Sequence, residues 1–152
     1  MTDRYLDDLT VGESWGSEPF TITEAEIIAF ATEFDPQPMH VDKAAAEAGR
    51  FGGLIASGWH VCSRVMRQFV NEAYFGQTPL LGMNVDALWW VRPVRPGDTL
   101  TVRREIIEIR PSKSQPDRGV VRTKTTVTNQ DGDLAMSFEN QMQLPRNAEA
   151  RL

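Results

Sequence analysis

The sequence contains one cysteine, Cys62, and two histidines among its 152 residues. A single cysteine cannot form an internal disulfide or a cysteine-rich metal site, and two histidines without matching carboxylate spacing do not predict a metal centre. No apolar run approaches the roughly 18 residues of a membrane span, and the first residues lack the apolar core of a signal peptide. We therefore expect a cytoplasmic protein with no bound metal and no membrane contact.

Basic residues are also scarce, because 16 Lys and Arg against 21 Asp and Glu give a formal net charge of −5. This balance argues against nucleic-acid binding, which depends on neutralising phosphates. Residues 87–126 nevertheless carry nine basic and four acidic side chains. Such a stretch is typical of a solvated strand face, and the alternative is a binding surface for a phosphorylated small molecule. The length and the hydrophobic share of 41% predict one folded domain over residues 1–152, with a flexible tail at about 145–152.

The first half of the sequence has helical patterns. Thr23 and Glu26 form a capping box, and apolar residues at helical spacing follow as far as Phe34. A second helix begins at Ser57-Gly58 and is predicted to end near Gly76. Because apolar residues cover most of its circumference, we expect other structure to surround it.

From residue 80 onward the apolar period changes from that of a helix to that of a strand. Four strands are predicted: 80–91, 100–109 with Ile107 and Ile109 out of phase, 121–127 and 134–144. A short strand near Ser14–Ile22 completes the pattern. The sequence therefore predicts an α+β fold, with one long helix packed on a mostly antiparallel sheet.

Asp35 and His40 are the first candidates for chemistry. They lie five residues apart in a polar loop that contains Pro36 and Pro38, and proline restricts the backbone. An Asp and a His directed at one point form an acid–base pair. The alternative interpretation is a turn cap beside a surface histidine.

A glycine-rich segment, Gly52 to Gly58, leads into the long helix. Backbone N–H groups at a helix start can stabilise a developing oxyanion. The alternative is that Ser57 caps the helix and Gly58 only allows close packing.

In combination these motifs resemble the MaoC-like dehydratases, the (R)-specific enoyl-CoA hydratases of the hot-dog fold. Their hydratase signature, Asp-x-Asn-Pro-x-His-x-Asp, is matched at Asp35, Pro38, His40 and Asp42, and Gln37 replaces the asparagine. The resemblance extends over about residues 5–144. It implies a hot-dog fold in which a sheet surrounds a long central helix, and a homodimer or higher oligomer.

The resemblance also implies a mechanism. Asp35 and His40 would hold one water beside the C2=C3 bond of an enoyl-CoA, with His40 as the base and Asp35 orienting the water and helping to protonate C2. The N–H of Gly58 would polarise the thioester carbonyl, and Ser57 and Gln37 would contribute to substrate binding. No cofactor is implied, since the coenzyme A thioester is itself the substrate. Two alternatives stay open: a hot-dog acyl-CoA thioesterase and a non-catalytic acyl-CoA-binding subunit.

The remaining conspicuous residues are predicted to be structural. Trp89 and Trp90 are adjacent on a strand, so we expect one in the core and one facing a partner subunit or the acyl tunnel. His60 is predicted to pack or cap within the first turn of the long helix, and Cys62 to be an inert residue of its apolar face.

Overall fold

Within residues 2–150 the sheet has six strands and is antiparallel throughout. The structure, a computed structural model, describes residues 2–150. The strands run in the order β1-β4-β5-β6-β3, and β2 pairs separately with β4. Their bounds are β1 Ser14–Gly16, β2 Phe20–Thr21, β3 Leu81–Trp90, β4 Thr99–Pro111, β5 Arg118–Thr128 and β6 Leu134–Pro145. All four predicted long strands are confirmed, and the short predicted strand is divided into β1 and β2.

A β-bulge explains the irregular apolar pattern of β4. The pairing of β4 with β5 shifts between Ile106 and Glu108, which is the point where the sequence pattern loses its phase. A bulge adds one residue to a strand and so reverses the face on which the following side chains lie. Ile109 consequently packs against the same apolar cluster as Ile106.

In the described part of the chain, four helices accompany the sheet: α1 Glu24–Phe34, α2 Pro38–Val41, α3 Lys43–Ala48 and α4 Gly58–Glu72. A 3-10 turn covers Leu6–Asp8. The capping box predicted for α1 is confirmed, because Thr23 and Glu26 exchange side-chain and backbone hydrogen bonds. The segment predicted to be an irregular loop contains α2, a single helical turn. Pro38 occupies its first turn, where the fixed φ of proline favours a helix.

The long helix α4 packs on the inner face of the sheet, where Val61 and Val65 are buried. It ends at Glu72, earlier than predicted, because Ala73 adopts a left-handed conformation with φ of 44°. The sheet covers this helix on one side, as expected, whereas Met66 and Val70 on its other side are exposed within the described chain. One face of α4 is therefore both apolar and uncovered.

The two tryptophans of β3 do not divide between core and surface. A second irregularity in the pairing of β3 with β6 lies between Asp86 and Trp89, and Ala87 there has a positive φ of 47°. Trp89 and Trp90 are 68% and 45% exposed, so neither is a core residue. The prediction of one buried tryptophan is wrong because β3 ends the strand order, and within the described chain neither face of this edge strand is fully covered at Trp89 and Trp90.

The segment predicted to be a flexible tail is partly ordered. Strand β6 extends to Pro145, and Arg146 forms an ion pair with Asp7 at 2.9 Å. Residues 151 and 152 of that predicted tail lie outside the described residues. Within residues 2–150, no helix is long and apolar enough to cross a membrane.

Candidate active site

Asp35 lies at the end of α1, where both of its carboxylate oxygens accept hydrogen bonds. Gln37 Nε2 donates to Oδ1 and Ser57 Oγ donates to Oδ2, each at 2.7 Å. These two bonds, together with the nearby imidazole of His40, lower the pKa of the Asp35 carboxyl, and its partial burial opposes them. The carboxylate is therefore ionised and fixed in orientation at neutral pH.

His40 lies on the short helix α2 and is 4% exposed. Its Nδ1 lies 2.7 Å from the carbonyl oxygen of Ile55. A carbonyl oxygen can only accept, so Nδ1 carries the hydrogen, and in the neutral ring the lone pair is on Nε2. That Nε2 lies 3.4 Å from Asp35 Oδ2.

The two facing atoms, His40 Nε2 and Asp35 Oδ2, are both hydrogen-bond acceptors when the imidazole is neutral. Two acceptors at 3.4 Å repel rather than bind each other, and a molecule that donates two hydrogens satisfies both. Water has this property. Since Asp35 keeps about a fifth of its side-chain surface exposed, the carboxylate is accessible to such a molecule.

The start of α4 lies beside this pair. Ser57 is fully buried at the N-cap position, yet its side chain makes no capping bond and donates to Asp35 instead. Within the described chain, the N–H of Gly58 donates to no acceptor. The indole of Trp90 packs directly on Gly58, and a Cβ added at Gly58 would lie 2.4–2.7 Å from its ring atoms. A residue other than glycine would therefore displace the indole.

The structure brings together all five residues singled out from the sequence. Asp35 and His40 face each other, and Gln37 and Ser57 are the donors that hold the carboxylate. Their predicted contact with substrate stays a prediction. Sequence reasoning missed the backbone carbonyl of Ile55, since no side-chain pattern marks a backbone acceptor.

Trp90 was not predicted to contact Gly58. The two adjacent tryptophans stand out in the sequence, but the alternation of side chains along a strand does not show which residue of another element each one contacts.

The basic stretch 87–126 does not form one uniform surface. Arg104 is buried in an ion pair with Glu72, and Arg122 pairs with Glu139. Arg95 lies next to the glycine-rich segment, where its guanidinium donates to the carbonyl of Phe51 at 2.5 Å. Much of the positive charge is therefore neutralised by neighbouring carboxylates or used in backbone contacts.

His60 and Cys62 take no part in this arrangement. His60 stacks on the ring of Phe30 with centroids 4.7 Å apart, which confirms the prediction of a packed histidine. Burial raises the pKa of the Cys62 thiol, and the thiol contacts the sulfur of Met136. A thiol with a raised pKa is a poor nucleophile, which supports the predicted inert role.

An antiparallel sheet whose inner face holds one long helix, with a histidine–aspartate pair at the start of that helix, defines a protein of the hot-dog fold. The sequence profile of the MaoC like domain matches residues 8–129, which is most of the chain. The chain therefore belongs to the MaoC-like dehydratase family.

Individual relatives support this assignment. The uncharacterized protein YdeM of Bacillus subtilis is 32% identical over 110 residues, which are 72% of this chain and 78% of YdeM. The MaoC-like dehydratase from Rhodospirillum rubrum superimposes with a TM-score of 0.86 at 38% identity, covering 95% of this chain and 98% of its own. R-hydratase PhaJ1 from Pseudomonas aeruginosa has a TM-score of 0.75 at 27% identity, covering 94% and 86% respectively. Proteins called dehydratases and (R)-hydratases are thus among the structural relatives.

Proposed function

We propose that this protein catalyses the reversible hydration of a trans-2-enoyl-CoA to the (R)-3-hydroxyacyl-CoA. The observation that carries the proposal is that His40 Nε2 faces Asp35 Oδ2 at 3.4 Å, two atoms that are both acceptors when the imidazole is neutral. One water molecule donating to both would be held with its oxygen lone pair directed away from them, and that lone pair is the nucleophile that hydration requires. The (R)-hydratases among the structural relatives support the reaction class.

In the proposed reaction the water oxygen bonds to C3 while His40 Nε2 takes one of its protons. The C2=C3 electrons move toward the thioester carbonyl and form an enolate. The free N–H of Gly58 is available to donate to the developing oxyanion. The enolate then collapses, and C2 takes the proton back from the imidazolium, so one water is added and no other reactant is consumed.

The lowered pKa of Asp35 refines its role in this scheme. A carboxyl group that holds its proton weakly is a good acceptor for the water hydrogen and stabilises an adjacent imidazolium. It is correspondingly a poor proton donor at neutral pH. We therefore assign Asp35 mainly to orienting the water and stabilising charged His40, and His40 to both proton transfers.

We also propose that the protein is a homodimer joined through β3 and α4. Strand β3 ends the strand order, so within the described chain one of its edges has no paired strand. This edge strand and the uncovered face of α4 carry large exposed apolar side chains: Trp59, Met66, Val70, Leu81, Met83, Val85, Trp89, Trp90 and Val91. A long apolar edge strand is an aggregation hazard unless it is covered, and a second copy would cover it. Light scattering should give a dimer, and Val85→Lys should give a monomer.

The reaction is tested by following the loss of the conjugated-enoyl absorbance of crotonyl-CoA while free thiol is assayed in the same sample. Loss of absorbance without thiol release is the expected result, and His40→Ala should abolish it. Thiol release would instead identify a thioesterase. If no chemistry occurs with crotonyl-CoA or with longer and branched enoyl-CoAs, although acyl-CoA binds, the protein is a binding subunit and the proposal is wrong.

A further inference from the structure

A belt of polar side chains crosses the middle of the sheet's inner face. Apolar residues lie on both sides of it, in one cluster around Val102, Val127 and Met136 and another around Ile106, Val121 and Met142. The belt consists of Arg104, Thr123, Thr125 and Asn140; the first three are at most 3% exposed and Asn140 is half-buried. Polar groups placed in the centre of a core are costly unless they are hydrogen-bonded.

Part of the polar belt is satisfied internally. Both carboxylate oxygens of Glu72 accept from the guanidinium of Arg104 at 2.6 Å, and the carbonyl of Val65 accepts a further bond at 2.9 Å. Thr123 Oγ1 donates to Asn140 Oδ1 at 2.7 Å. The charge of Arg104 is therefore neutralised, and the side-chain oxygen of Asn140 already accepts a hydrogen bond.

Two groups of the belt have no such partner. Within the described chain, neither Asn140 Nδ2 nor Thr125 Oγ1 makes a hydrogen bond. Both residues line a cleft of about 650 Å³ between α4 and β3, and in the proposed homodimer the second copy would close its open side, where Met66, Met83 and Val85 lie. Asn140 is half-buried, so the belt offers its free amide donor to whatever occupies this cleft, whereas the hydroxyl of Thr125 is nearly closed off at 1% exposure.

The cleft runs along α4 from the turn that follows Gly58, and Asp35, His40 and Gly58 themselves do not line it. Trp59, which follows Gly58, lines one end, and Val65 and Phe69 line it farther along α4. At 1.5 Å per residue these two positions lie about 10–16 Å from Gly58 along the helix axis. An extended chain advances about 3.5 Å per three bonds, so roughly nine to fourteen bonds span this distance. A medium-length acyl chain whose thioester lies at Gly58 would therefore reach the polar belt.

We propose that this cleft receives acyl chains that carry an uncharged oxygen function, a hydroxyl or a carbonyl, toward their far end. This inference rests on the proposed function, because it places the thioester at Gly58. A purely apolar chain would remove water from Asn140 Nδ2 without replacing it, whereas an oxygen on the chain accepts from the amide. Since Glu72 neutralises Arg104, the belt has no net positive charge to attract a carboxylate.

The test measures binding of saturated acyl-CoAs, which cannot be hydrated. Calorimetry would compare chains of about eight to fourteen carbons, each with and without a terminal hydroxyl or a keto group near the end. The variants are Asn140→Leu and Thr125→Val, which keep the approximate side-chain shape and remove the polar group. Thr126→Val is the matched control, because Thr126 is the next residue of β5 and lies on the opposite face of the sheet.

Wild-type protein and Thr126→Val should bind the oxygenated chain of optimal length about tenfold more tightly than the plain chain, which corresponds to one well-formed hydrogen bond. Asn140→Leu should reduce this ratio to near one, and Thr125→Val should lower it. Equal binding of plain and oxygenated chains by the wild type, or an unchanged ratio in Asn140→Leu, would show that the belt holds only water and overturn the inference. Because binding is measured without turnover, this result is independent of whether crotonyl-CoA is hydrated.

Discussion

Replacing Asp35 by asparagine is the sharpest test of the proposed chemistry, since it removes one charge and changes the shape of the side chain very little. If Gln37 keeps its orientation, its Nε2 still donates, and the oxygen of the new amide takes the place of Oδ1. The amide nitrogen then occupies the place of Oδ2, 3.4 Å from His40 Nε2 and 2.7 Å from Ser57 Oγ. The hydroxyl of Ser57 can rotate to accept, so the loop keeps its hydrogen bonds.

The expected loss of rate follows from this geometry. The water loses one of its two acceptors, and the new N–H donates toward the lone pair that His40 needs as a base. A positioned acid–base group contributes about 10²–10⁴ in rate, and here both groups are impaired by one substitution. We expect kcat for crotonyl-CoA to fall about 10³–10⁴-fold, which corresponds to about 4–5.5 kcal/mol of lost transition-state stabilisation.

The matched control is Asp42→Asn, the same chemical change in the same signature segment. Asp42 caps α3 by accepting from the N–H of Ala45, and asparagine is an equally good cap. Asp42→Asn should retain the wild-type rate, and both variants should melt within a few degrees of the wild type. The reasoning is refuted if Asp35→Asn keeps a rate within about threefold of the wild type, or if the two variants lose activity equally.

Three further predictions follow from buried contacts. Gly58→Ala should displace the indole of Trp90, which would lower kcat/KM about 10²-fold and shift the tryptophan fluorescence. The variant should lose little stability because alanine favours helices. An unchanged kcat/KM would exclude the contact between Trp90 and Gly58 from function. Arg104→Met should lower the free energy of unfolding by about 3–5 kcal/mol in denaturant titrations, because it leaves Glu72 buried without its partner. Adding Glu72→Leu should restore most of the lost stability. Equal losses in the single and double variants would contradict this explanation. Burial lowers the pKa of His60, whose Nδ1 is buried without a hydrogen bond. Protonation of His60 therefore favours the unfolded state, and the protein loses stability as the pH falls below the ordinary histidine value of about 6.5. In His60→Phe the free energy of unfolding should fall less steeply with decreasing pH, by up to about 1.4 kcal/mol per pH unit. An identical slope in the variant and the wild type would show that His60 does not cause the loss.

Local patterns in the sequence determined much of the architecture. The start of α1 was predicted from Thr23 and Glu26 because a capping box is satisfied within four residues. The alternation of apolar residues predicted the four long strands, since side chains on a strand necessarily point to alternate faces. The loss of phase near Ile107 was visible as well, although only the pairing of β4 with β5 identified it as a bulge.

The sequence also indicated the reactive pair, because Asp35 and His40 are close in the chain and belong to a recognisable signature. What it could not show is the state of those groups. The tautomer of His40 depends on the carbonyl of Ile55, 15 residues away, and the orientation of Asp35 depends on Ser57, 22 residues away. Ser57 looked like a helix cap, and only the packing of α4 against the end of α1 turned its hydroxyl toward the carboxylate.

Tertiary structure alone decided the contacts between distant elements. Trp90 packs on Gly58, and Arg104 meets Glu72, because α4 lies across the inner face of the sheet. Short-range patterns specify helices, strands and caps, since their hydrogen bonds close within a few residues. The polar belt and the facing acceptors arise only when residues far apart in the chain are packed together, and no local pattern in the sequence encodes that proximity.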